Sequence, residues 1–238
     1  MSTNDTKLYF GKDLEAMSFA EKYHKWILDE FRPYLHGEVV EVGAGSGNFT
    51  SLLATAKIDG LTSFEPSENM YNLLARRVEE HEKVIPINGF FDKSYKGYKS
   101  HFDAVVYVNV LEHIEKDLEE LMFVLESLKP GGVLCVFVPA LSWLYSDLDR
   151  KVGHFRRYHK KQLERLVKHA GFQITKIKYF DMLGIIPWYI LFVLFKKNIS
   201  GSNVSLYDKL AVPAIKRLES IVAPPIGKNI LLVARKPG

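Results

Sequence analysis

The chain has almost no cysteine, one in 238 residues. Cys135 sits inside the apolar run Val133-Leu134-Cys135-Val136-Phe137-Val138. This excludes a disulfide framework, predicts a buried packing role and fits a reducing cytoplasm. Met1 to Lys12 is polar and lacks an apolar signal core, so export is not expected. Repeats and low-complexity tracts are missing, which excludes a solenoid and a disordered chain. The uncharged run Met182 to Phe195 is shorter than the about 20 residues that span a bilayer. An excess of charge of one sign is nearly missing too. A net charge of +4 and a pI near 8.9 favour anionic partners but fall short of a nucleic-acid-binding surface, and no nucleic acid is expected as a partner. Apolar content of 47% and charged content of 25% are those of an ordinary globular protein. The length fits one domain over residues 1–238, with room for an insertion.

What is present is a glycine-rich turn. The run Glu38-Val39-Val40-Glu41-Val42 reads as a strand; Gly43, Gly45 and Gly47 follow at every second position, and Asn48-Phe49-Thr50 starts a helix. Glycines there permit positive φ and a close approach to the backbone, while the helix start offers unpaired N–H groups. A dinucleotide fingerprint needs a glycine or alanine where this chain has Asn48 or Thr50, which disfavours an NAD-dependent oxidoreductase.

Strands and helices then alternate. A helix from about Asp13 to Leu35 is expected to pack over the ligand side. Strands are expected at Leu61 to Glu65, Val84 to Asn88, Phe102 to Val108, Val133 to Val138, Phe172 to Phe180 and Asn229 to Arg235. Helices are expected after Ser67, after Asp117 and around Leu163 to Ala170. The pattern predicts an α/β, Rossmann-like, doubly wound, mostly parallel seven-stranded sheet with helices on both faces. Residues 1–37 form a helical cover and 181–228 a hydrophobic helical insertion, with Ser200-Gly201-Ser202-Asn203 as a mobile loop within it.

Four features occur in order: E-x-G-x-G-x-G from Glu41, an acid at Glu65 ending the second strand, F-D-A-V-V-Y-V-N-V-L-E-H-I from Phe102, and L-K-P-G-G from Leu128. Together they resemble the class I S-adenosylmethionine (SAM) dependent methyltransferases, of the type 11/12-like group, over about residues 38 to 180 plus the last strand. The resemblance implies SAM as cofactor. It places Glu41 near the donor's ammonium group, Gly43, Gly45 and Gly47 under its amino acid and ribose, and Glu65, followed by Pro66, at the ribose hydroxyls. Gly89 and Phe90 fall where the family contacts adenine. Phe90-Phe91 replaces a frequent acid, so ring stacking and backbone contact are expected, with Asp92 a weaker candidate. Asn109 and Leu111 complete the expected cofactor set. Gly153-His154-Phe155-Arg156-Arg157-Tyr158 resembles a subgroup that methylates glycans, lipids or secondary metabolites.

Transfer of a methyl group from a sulfonium needs alignment and exclusion of water, and an oxygen acceptor benefits from a base. His113 follows the fourth strand at the ligand edge of the sheet and is a leading base candidate, with His154 and Tyr158 as further catalytic candidates. A helix-start residue that shapes the pocket is an equal reading for His113. Some relatives with E-V-L-E-H bind a metal there; Asn109 replaces the first acid, so no metal is expected. Arg156 and Arg157 could grip an anionic acceptor, with one facing the site and the other in a surface ion pair, and Tyr145, Asp147 and Asp149 could orient a sugar hydroxyl or stabilise the arginines. The acceptor class is small-molecule, sugar or lipid-linked, with a non-catalytic SAM-binding scaffold as the alternative. The run continuing into Lys196-Lys197 is a buried lid, a homodimer face or a patch for peripheral contact at the inner membrane surface, its aromatics dipping into lipid or lining a pocket for a hydrophobic substrate.

Overall fold

The computed structural model describes residues 20–95, 97–196 and 201–238, the side chains of 202 and 203 excepted. The expected start of the first helix at Asp13 lies outside the described residues, as do Lys197 and Ser200. Seven strands form one sheet: β1 (Glu38–Val42), β2 (Gly60–Glu65), β3 (Val84–Asn88), β4 (Phe102–Val108), β5 (Leu128–Pro139), β6 (Gln173–Phe180) and β7 (Asn229–Arg235). Their order is β3-β2-β1-β4-β5-β7-β6. All neighbours run parallel except β7, which is antiparallel to both β5 and β6. Val39, Val40, Ala104, Val105, Val106 and Tyr107 are fully buried. Near-continuous apolar runs of this kind are what a sheet covered on both faces requires. At the Lys129-Pro130-Gly131-Gly132 turn the register slips, so that Phe102 pairs with Leu128 and Ala104 with Val133.

Helices cover both faces: α1 (Glu21–Phe31), α2 (Asn48–Leu53), α3 (Glu68–Val78), α4 (Asp117–Ser127), α5 (Asp147–Lys151), α6 (Lys160–His169), α7 (Ile185–Trp188) and α8 (Gly201–Ile221). One buried cluster joins α1, α2 and α3 to one face of the sheet and the other joins α4 and α6 to the opposite face. On α1, Tyr23, Trp26, Ile27 and Phe31 point inward, and Tyr23 and Trp26 meet Phe180 at ring-centroid distances of 5.7 and 3.8 Å. Its first backbone N–H groups, from Lys22 and Tyr23, donate to the Asp208 carboxylate of α8 at 3.0 and 2.8 Å. The α1 start therefore finds its cap in another helix.

The stretch expected as a loop at Gly201 to Asn203 opens α8 instead. Val212 and Ile215 on its inner face are buried, and this packing outweighs the low helix propensity of glycine, serine and asparagine. Tyr189–Leu194 continues α7 as a π-helical turn. No helix among the described residues is long and apolar enough to cross a membrane.

Candidate active site

Strand order reverses between β1 and β4, and ligands of open α/β sheets bind at the carboxyl ends of strands at such a point. A cavity of about 460 Å³ opens there. The glycine turn forms its floor. The Gly43 and Ala44 N–H groups both donate to the Phe64 carbonyl at 2.9 Å, binding the turn to β2. Gly43 has φ +71°, and a Cβ on it would stand 2.6 Å from Val110 Cγ2. Gly47, at φ +81°, caps α2 and packs on Leu74; it lies outside the cavity lining and serves the helix start.

Two acids face this floor. Glu41 is 3% exposed, and its Oε2 accepts from Thr50 Oγ1 at 2.6 Å and Ser63 Oγ at 3.0 Å. Burial pushes its carboxyl up to about 7, against the pull of those hydroxyls. Glu65 accepts the N–H of Gly45 at 2.7 Å on one oxygen and that of Ser67 at 2.8 Å on the other. Burial raises it as well. Each oxygen keeps a second lone pair for a ligand hydroxyl. Pro66 and Phe90 continue the wall, and Phe90 is 67% exposed, a ring with one open face.

Several expected cofactor residues lie elsewhere. Gly89 is outside the lining, and nothing lies within 4 Å of a Cβ built on it, so its lack of a side chain opens no needed space. Phe91 is buried against Phe64 and Phe123 at ring-centroid distances of 5.1 and 5.0 Å, so only Phe90 is placed to stack. Asp92 is also outside the lining. Asn109, at φ +55°, lines the cavity, whereas Leu111 is fully buried in the core. The short 3₁₀ turn Leu111–His113 points Leu111 inward and leaves Val110 on the cavity wall.

At the other end, β4 and the segment after β5 bring the titratable groups together. Asp149, fully buried, is the third residue of α5, where it accepts the N–H and hydroxyl of Ser146 at 2.8 Å each in a capping box. Its Oδ1 also meets His154 Nδ1 at 2.8 Å and Arg157 Nε at 2.8 Å, and its Oδ2 accepts from Arg157 at 3.0 Å. Burial works to raise the Asp149 carboxyl, but the bonds to His154 and Arg157 outweigh it and hold the group below the usual carboxylate range. The ring of His113 meets His154 edge-on at 4.6 Å, and burial, aided by His154, lowers it to about 4. Glu112 is fully buried, and neither carboxylate oxygen has a hydrogen-bond partner. Burial pushes it up to about 7, and its Oε1 lies 3.7 Å from His154 Nε2.

Tyr158 is not in the cavity lining. Its hydroxyl is buried, donating to Asp117 Oδ2 at 2.9 Å and to the Leu111 carbonyl at 3.3 Å, and burial next to Asp117 raises the phenol far above its ordinary value. A proton so committed makes it a structural tie. Arg157 faces the cavity with its guanidinium 4.6 Å above the Trp188 ring, while Arg156 turns away to Asp117 at 2.6 Å and the Glu115 carbonyl at 2.8 Å. The Tyr145 hydroxyl donates to the His154 carbonyl at 2.7 Å, outside the cavity. Sequence reasoning missed Glu112 and Lys228, and it did not see that Asp149 holds His154. The S-x-x-D pattern from Ser146 was the available signal for Asp149. Lys228, paired with Asp181 at 2.9 Å, follows no pattern.

Among the described residues, Glu112, His113 and His154 are grouped so that one ligand atom from each lies within 4.8 Å of the others, a set able to hold a metal ion.

The strand order with its antiparallel β7, and the glycine turn at the switch point, define a class I SAM-dependent methyltransferase. A methyltransferase domain model matches residues 15–177, well over half the chain, and the chain belongs to that family. It is 29% identical over 129 residues to a tRNA U34 carboxymethyltransferase of Desulfotalea psychrophila, covering 52% of this chain and 39% of that protein. The chain thus spans well under half the length of that curated relative. Its fold is similar to that of a SAM-dependent methyltransferase of Mesorhizobium loti (TM-score 0.61, 14% identity, 91% of this chain and 98% of that one). It is also similar to phosphoethanolamine N-methyltransferase 2 of Haemonchus contortus, solved with S-adenosylmethionine (TM-score 0.62, 16% identity, 95% of this chain and 57% of that one). SAM is the cofactor, and the cavity fits it: two acids suit a cationic donor, and among the described residues the partners of Glu41, raised to about 7, are the Thr50 and Ser63 hydroxyls.

Proposed function

We propose that the protein methylates an oxygen of a small-molecule, sugar or lipid-linked acceptor, with His154 as the base. The observation that carries this reading is the 2.8 Å contact between His154 Nδ1 and Asp149 in the cavity wall. With Asp149 ionised, Nδ1 carries the proton and Nε2 is left as the acceptor. Bound SAM supplies an electrophilic methyl group whose sulfur leaves as a neutral sulfide. The acceptor oxygen forms the new C–O bond, and its proton passes to His154 Nε2. Asp149 and Glu112 flank the imidazolium that results and stabilise it. His113, lowered to about 4, stays neutral and shapes the same wall. Glu41 and Glu65 are assigned to the donor's ammonium and ribose, Phe90 to its adenine, and Arg157 to fixing Asp149.

The test is transfer of labelled methyl from SAM to sugars, lipid-linked glycans and, because of the Desulfotalea relative, tRNA. His154→Ala is expected to lower kcat by about 10²–10⁴ while the affinity for S-adenosylhomocysteine stays unchanged. Tight cofactor binding with no turnover on any acceptor would favour the scaffold. Transfer to tRNA alone would replace the acceptor class.

The unpartnered Glu112 oxygens support a second reading, in which Glu112, His113 and His154 hold a divalent cation that polarises the acceptor hydroxyl. Activity lost in EDTA and restored by Mg²⁺ or Mn²⁺ would select it over the proton acceptor.

A further inference from the structure

A second, smaller chamber of about 110 Å³ lies between α1, α7 with its π-helical turn, and α8, and it shares Tyr23, Trp188 and Lys228 as walls with the main cavity. The rest of its lining includes Pro187, Leu191, Phe192 and Val204. Every polar side chain in that lining is already engaged. Asp208 accepts the first N–H groups of α1, the Tyr23 hydroxyl donates to Asn229 at 3.0 Å, and Tyr207 and Lys228 both bind Asp181. The Trp188 indole N–H is tied to the Leu144 carbonyl at 3.2 Å, which holds the ring at the partition between the two spaces. A chamber whose polar groups are spoken for recognises a ligand by apolar contact alone.

We propose that this chamber receives the apolar tail of the methyl acceptor, an amphiphile whose hydroxyl sits at His154; the proposal rests on the oxygen-acceptor reading above. The two cavities adjoin at Tyr23, Trp188 and Lys228, and a tail that passes from one to the other runs beside these shared walls. The volume takes only a few methylenes, so a longer chain must leave between the helices. There the outer faces of the same two elements are apolar: Ile186, Leu194 and Phe195 are exposed, as are Leu206 and Leu210. π-helical turns widen a helix and recur at functional sites, and this one, Tyr189–Leu194, carries the chamber wall. The insertion thus offers apolar contact from partition to surface, and the residues assigned to the cofactor, Glu41, Glu65 and Phe90, lie outside it.

The probe is 11-bromoundecanol, which carries a hydroxyl at one end and a heavy-atom quencher of indole fluorescence at the other. The full-length protein is expected to show saturable quenching. Leu191→Phe, which fills the chamber, is expected to weaken that binding about tenfold while the calorimetric affinity for S-adenosylhomocysteine is unchanged. If Leu191→Phe fails to bind S-adenosylhomocysteine, Val204→Leu, a smaller filling change, is read in its place. Absence of saturable quenching, or equal quenching in the filled variant, overturns the proposal. Failure of the wild-type protein to bind S-adenosylhomocysteine would instead strike the methyltransferase reading, and the two failures are therefore distinguishable.

Discussion

His154 Nδ1 lies 2.8 Å from Asp149 Oδ1, and Asp149 is in turn held by the Arg157 guanidinium through Nε at 2.8 Å. The imidazole is thereby fixed in both tautomer and direction, as a base that must meet one hydroxyl requires. Asp149→Asn keeps the shape but puts an amide where His154 needs an acceptor. Its kcat is expected to fall about 100-fold or more, with Kd for S-adenosylhomocysteine unchanged. Asp149→Glu should recover part of the loss. Equal activity of the Asn variant and wild type would remove Asp149 from the positioning role.

Cofactor affinity should depend on pH through Glu41. Burial is the main cause that raises its carboxyl from the ordinary 4.5 to about 7 in the folded protein. A cationic donor favours the ionised form, so binding below pH 7 must first release a proton. Affinity is expected to weaken by about tenfold per pH unit from 7 down to 5.5, and Glu41→Gln should flatten the profile. For folding the sign is opposite. Protonated Glu41 stabilises the native state fully below 4.5, and this contribution is lost as pH rises toward 7. Calorimetry with S-adenosylhomocysteine and thermal unfolding over the same pH range check both slopes.

Phe90 and Phe91 are adjacent, yet their substitutions should separate cleanly. Phe90 is 67% exposed on the cavity wall, and Phe91 is 3% exposed within an aromatic cluster. Phe90→Ala is expected to leave stability within about 0.5 kcal/mol and weaken cofactor binding about tenfold, the worth of one stacked base. Phe91→Ala is expected to cost about 3–5 kcal/mol of stability through its cavity. Chemical denaturation beside cofactor titration of each variant gives both readouts.

The fold was legible because burial writes periodicity into the chain. The apolar runs of β1, β4 and β5 and the glycines of the turn each have a local cause. Placement on the cavity wall was legible where it is set by a residue's own strand end, as for Glu41, Glu65 and Asn109. That Arg156 and Arg157 diverge, one to the site and one to an ion pair, was legible from alternation along an extended segment; that Tyr158 and Arg156 are the residues turned away from the cavity was not. The contact of Asp117 with both residues, which decides it, spans about 40 positions. Tyr23 was expected in a helix over the ligand side and Trp188 in a lid, a dimer face or an apolar patch; that both wall the same cavity depends on the long-range packing of their helices, which no local pattern encodes.

Gly43 is the point where backbone conformation and cavity shape meet, and a double substitution separates them. Gly43→Ala places a Cβ 2.6 Å from Val110 Cγ2 and holds a non-glycine residue at φ +71°. The left-handed conformation alone costs about 1–2 kcal/mol, and the clash adds to it. Val110→Ala vacates the atoms that the new methyl would strike. The pair Gly43→Ala, Val110→Ala is therefore expected to recover the clash while keeping the 1–2 kcal/mol of backbone strain, giving a favourable coupling in a double-mutant cycle of unfolding free energies. Simple additivity of the two substitutions would show that the turn relaxes away from Val110, and then Gly43 is required for its φ alone.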